Sequence, residues 1–152
     1  MTQTPAPEPA DQPAETAAPV ASDVFTEDDH GTLRSAAMLA SALVSRAEKG
    51  MFDSIKESFA ASKAIAGSPP QIAALVGKGG FPELPKGTPE QVEARTLELL
   101  GEAVAVLRAK APDLVDGYRA MVLQSCRDAA AAADDTSGNE QSAIAKVEAA
   151  LA

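Results

Sequence analysis

The sequence predicts an all-α fold: a compact bundle of about six helices in two pseudosymmetric helix-turn-helix halves, behind a disordered N-terminal tail. Three observations carry that expectation. Ala, the best helix former, is abundant, whereas aromatic residues, which favour strands, make up 3% of the chain and Trp is absent. Apolar residues recur at helical spacing through several long stretches. Helix-start signals punctuate those stretches at regular places.

The tail comes first in the chain. Residues 1–24 are rich in Pro, Ala, Thr and Glu and almost without large apolar side chains. Such a segment buries too little surface to offset its ordering entropy, and its spaced prolines favour extended, polyproline-like conformations. It reads as a solubilising tail or linker, with a partner-docking peptide as the sharper alternative. The domain proper is expected over residues 25–152.

The first helix is expected from about Thr32 to Lys49, where Leu33, Ala36, Ala37, Ala40, Leu43, Val44 and Ala47 form one face. Asp28 and Asp29 lie near its start, where the helix dipole favours acids, and Gly50 ends it. Ser54-Ile55-Lys56-Glu57 is a capping box opening a second helix to about Ala66, with Ile55, Phe59 and Ile65 inward. Gly67, Pro69 and Pro70 break that helix and lead into a short third one over Gln71 to Val76. Residues 77–87 form a loop with Phe81 and Leu84 turned to the core. Its Gly77-Lys78-Gly79-Gly80 lacks both the spacing of a phosphate-binding loop and a preceding strand.

Thr88-Pro89-Glu90-Gln91 is the clearest start signal, with Thr88 as N-cap, Pro89 at the first helical position and Gln91 completing the box. The helix it opens runs to about Lys110 on Val92, Leu97, Leu100, Val104 and Leu107. Gly101, inside it, marks a place where another helix could approach closely. Pro112 opens the next helix, to about Ala133, on Leu114, Val115, Tyr118, Met121, Val122, Cys126 and Ala129. Ser137-Gly138-Asn139-Glu140 is again a capping box, and the last helix carries Ile144, Val147 and Leu151.

Charge and cysteine content bound the function. The formal net charge is -9, and seven of the acids lie before Arg34, the first basic residue. The remaining 15 acidic and 13 basic residues leave the rest of the chain near neutrality. A nucleic-acid binder shows a basic face or stripe, and none is found. Cys126 is the only cysteine, so neither an internal disulfide nor a cysteine zinc site is available. No signal peptide and no membrane span are visible, and a cytoplasmic location is the expectation.

Two segments repeat. Placing Ser54 on Ser137 also places Met38 on Met121, Ala47 on Ala130 and Lys63 on Lys146, a constant offset of 83 residues. Each copy is a long helix, a polar turn, Ser-x-x-Glu and a second helix. In this arrangement the chain resembles the tellurite-resistance TerB-like helical family, from Leu33 to Ile65 and again from Met121 to Leu151. The family outline has Ala-Asp-Gly at each turn. Here the first turn reads Ala47-Glu48-Lys49-Gly50 and the second Ala133-Asp134-Asp135.

The resemblance implies a non-enzymatic, stress-associated accessory or interaction module that binds a divalent cation, calcium or magnesium, at its turns. The residues in the corresponding positions are Asp53, Glu57, Asp134, Asp135 and Glu140. Hard cations take several oxygen ligands, mostly carboxylates. Against this stands a plainer assignment, in which Glu57 and Glu140 are capping-box residues and the aspartates are ordinary helix-start acids. Lys49 and Lys56 would also repel a cation.

Other reactive side chains read as structural. His30, the only histidine, is expected on the surface. Cys126 is expected to be a buried thiol and Tyr118 a core aromatic with a wet hydroxyl. The expected partner is another protein or a second copy of the chain, and the alternative function is a structural adaptor with no metal site. A metal-dependent enzyme is the third reading.

Overall fold

The first helix owes its start to a side-chain exchange rather than to its apolar stripe. Thr26 Oγ1 accepts from the Asp29 amide at 3.2 Å, and Asp29 Oδ2 accepts from the Thr26 amide at 2.8 Å. This reciprocal cap satisfies two backbone donors and sets helix α1 over Glu27–Arg46, five residues ahead of the expected start at Thr32. Gly31 falls inside the helix with open space around it. The computed structural model describes residues 24–46, 63–77, 85–132 and 138–152.

Every regular element among the described residues is helical. After α1 comes a helical stretch over residues 63–67, then α2 (Pro70–Gly77), α3 (Pro89–Lys110), a 3₁₀ turn (Pro112–Leu114), α4 (Val115–Ala132) and α5 (Gly138–Leu151). The all-α bundle expected from composition and periodicity is what forms. No described helix is long and apolar enough to cross a membrane.

Helix α3 starts as its sequence dictates. Thr88 accepts from the Gln91 amide, Gln91 Oε1 accepts from the Thr88 amide at 3.0 Å, and Pro89 occupies the first turn. Gly87 precedes the cap with a φ of 137°, a conformation strained for any L side chain, and a Cβ there would collide with Gln91 Oε1. At the other end the Ala111 amide donates to the Leu107 carbonyl and the chain turns through the 3₁₀ segment into α4.

Helix α1 is the centre of the bundle, in contact with α2, α3, α4 and α5. Its inner face of Leu33, Ala36, Ala37, Ala40 and Val44 meets Leu100, Ala103, Val104 and Leu107 of α3, Tyr118, Val122 and Cys126 of α4, and Val147 and Leu151 of α5 in one continuous core. Two polar contacts fix how α1 meets α4. The Tyr118 hydroxyl donates to the Leu33 carbonyl, and the hydroxyls of Ser41 and Ser125 are hydrogen-bonded. Both contacts advance together along the chain, so the two helices run in the same direction. They join residues 85 and 84 positions apart, next to the 83-residue offset of the sequence repeat.

Small side chains allow this approach. Ala36, Ala37, Ala40 and Ser41 on α1 and Ser125, Cys126, Ala129 and Ala130 on α4 are all buried. Ser41 Oγ also lies 3.3 Å from the Ala37 carbonyl one turn earlier in its own helix. A second close approach is made at Gly117, where a Cβ would sit 3.3 Å from Ile72 Cγ1 of α2. Gly101 does not serve that purpose. It is exposed, and a Cβ there would meet nothing within 4 Å.

Candidate functional site

Glu140 is the one residue of the expected cation set that falls among the described residues. It is the third residue of α5 and fully buried, with both carboxyl oxygens shielded from solvent. A helix N-terminus suits an acid, through the dipole and the exposed amides of its first turn. Asp53, Glu57, Asp134 and Asp135 lie outside the described residues, as do Ser54 and Ser137 of the two capping boxes. Phe59, Phe81 and Leu84 lie outside them too. Among the described residues, no group of three His, Cys, Asp or Glu side chains is placed to hold a metal ion.

The other reactive side chains singled out by sequence, His30, Tyr118 and Cys126, all lie inside the bundle. His30 is buried, not on the surface. Its Nδ1 lies 2.8 Å from the Leu75 carbonyl, and since a carbonyl only accepts, Nδ1 carries the proton. One helical turn on, Arg34 Nη1 donates to the Val76 carbonyl at 2.9 Å. The two side chains, four residues apart on α1, together satisfy carbonyls in the last turn of α2 that have no partner within that helix.

Asp29 sits beside this clamp. It pairs with Lys110 at the end of α3, and the Lys110 ammonium, followed by the Thr26 amide, holds its carboxyl below the ordinary value. Lys110 Nζ also lies 5.9 Å from the centre of the Phe25 ring, whose other neighbour is the His30 imidazole at 6.0 Å between centroids. Phe25, Asp29, His30, Arg34 and Lys110 thereby tie the start of α1 to the ends of α2 and α3. Sequence reasoning missed this cluster. Its signals are the Thr26-x-x-Asp29 spacing, ahead of the apolar stripe that begins at Leu33, and the His30/Arg34 spacing of four, which straddles the start of that stripe.

Tyr118 and Cys126 occupy the core of the α1–α4 contact. Tyr118 is completely buried, and its hydroxyl meets the Leu33 carbonyl at 2.6 Å rather than water. Burial raises its pKa well above the ordinary phenol value. Burial likewise pushes the Cys126 thiol up to about 12, the opposite of what a thiolate nucleophile requires. Thr96 returns its hydroxyl to the Val92 carbonyl within α3 at 2.8 Å. Tyr118 and Cys126 hold helices together, and all three residues are buried.

Compared with protein-family models, with curated proteins and with solved structures, the chain matches none.

Proposed function

We propose that the protein is a non-enzymatic helical accessory or interaction module, TerB-like in outline, that binds a divalent cation, calcium or magnesium, where α4 gives way to α5. The observation that carries this reading is the buried carboxyl group of Glu140 at the third position of α5, with Asp134 and Asp135 six and five residues before it in sequence. Oxygen donors of that kind suit a hard cation. The non-enzymatic part is supported by the engagement of His30, Tyr118, Cys126 and the Ser41/Ser125 pair in interhelical contacts, which leaves them unavailable as acid, base or nucleophile.

Calorimetric titration of the full chain with calcium, magnesium, manganese and zinc tests the cation, with the Asp134→Ala/Asp135→Ala double variant and Glu140→Gln alongside. Saturable binding by the parent that both variants weaken at least tenfold is the expected result. Absence of saturable binding by a folded parent would remove the cation from the proposal.

A second reading, a structural adaptor without a metal, is favoured by the distribution of charge. The segment ahead of Arg34 carries seven acids and no base, while the rest of the chain is close to balanced. In that reading the acidic segment engages a protein partner or a second copy of the chain by charge complementarity. Association that weakens as salt is raised, and that disappears on replacing Glu8, Asp11 and Glu15 by their amides, distinguishes it from cation-dependent association.

A further inference from the structure

We draw no further inference here: the strongest candidate, the run of small residues Ala94, Gly101, Ala105 and Ala109 on the exposed face of α3, is a helix surface without a partner among the described residues, and nothing in the structure shows what covers it.

Discussion

The hydroxyl of Tyr118 in α4 reaches the backbone carbonyl of Leu33 in α1 across 2.6 Å, with no solvent at either end. A carbonyl in mid-helix has two lone pairs, and the helix ladder uses one. The tyrosine occupies the other, so the same side chain packs the core and locks the register of two helices. Tyr118→Phe removes the bond and keeps the ring. It is expected to lower unfolding free energy by about 1 kcal/mol, read as a fall in the urea midpoint at constant slope. No shift in midpoint would mean that the hydroxyl contributes nothing net.

Alkali should unfold the protein through the same contact. A group whose folded pKa is raised keeps its proton in the native state after the unfolded chain has released it. Stability is therefore full below the unfolded pKa and falls as pH rises toward the folded one. For Cys126 that window runs from 9.0 up to about 12, and for Tyr118 it opens near 10.0. The expected slope is roughly 1 kcal/mol per pH unit for each group within its window. Tyr118→Phe/Cys126→Ala should flatten the profile of stability against pH above 9, and an unchanged alkaline slope in that variant would contradict the assignment.

The clamp on α2 gives a local test. Removing either donor leaves a carbonyl of Leu75 or Val76 without its side-chain partner. His30→Ala and Arg34→Ala are each expected to cost about 1–3 kcal/mol, since one deprives a buried group and the other a charged donor. The loss should be felt first in α2. Hydrogen exchange at Ile72, Leu75 and Val76 should quicken more than at Leu100 or Leu107, which pack in the centre of the bundle. Equal acceleration everywhere would show that α2 opens only with the whole fold.

Two helical glycines should respond differently to the same substitution. Gly101→Ala adds a methyl into open space on α3 and raises helix propensity, for an expected gain of about 0.5–1 kcal/mol. Gly117→Ala gains the same propensity but sets its methyl 3.3 Å from Ile72 Cγ1, so α2 must yield. Thermal unfolding of the pair should rank Gly101→Ala above the parent and Gly117→Ala below Gly101→Ala. Equal midpoints for the two variants would contradict the close approach of α4 to α2.

Acid acts through Asp29. Its carboxyl pKa is lowered by Lys110 and the Thr26 amide, so its contribution to stability is present above the ordinary carboxyl value and lost as pH falls through the lowered one. Asp29→Asn should be less stable than the parent at neutral pH, and the difference should shrink as the pH is brought below about 4. A difference independent of pH would place the effect in packing rather than in charge.

The elements with strong local signals were readable from sequence. Thr88-Pro89-Glu90-Gln91 announced α3, because cap, proline and return side chain all lie within four residues of one another. The apolar face of α4, including a buried Cys126, followed from its period alone. What escaped depends on partners far along the chain. Nothing near His30 in sequence foretells a carbonyl 45 residues later, and nothing near Asp29 foretells Lys110, 81 residues later. A glycine such as Gly101 shows where a Cβ is missing but not which side of the helix another element occupies. Of the expected cation set, sequence identified Glu140 as an acid at the start of a helix, but a capping-box pattern does not predict that its carboxyl is withdrawn from water.

Helix α1 is made before the helices that cover it and is finished only after them. Its contacts with Lys110, Tyr118 and Ser125 span 81, 85 and 84 residues. During synthesis at about 5–20 residues per second, the face bearing Leu33, Ala37 and Val44 therefore waits roughly 4–17 seconds for the chain that will cover it.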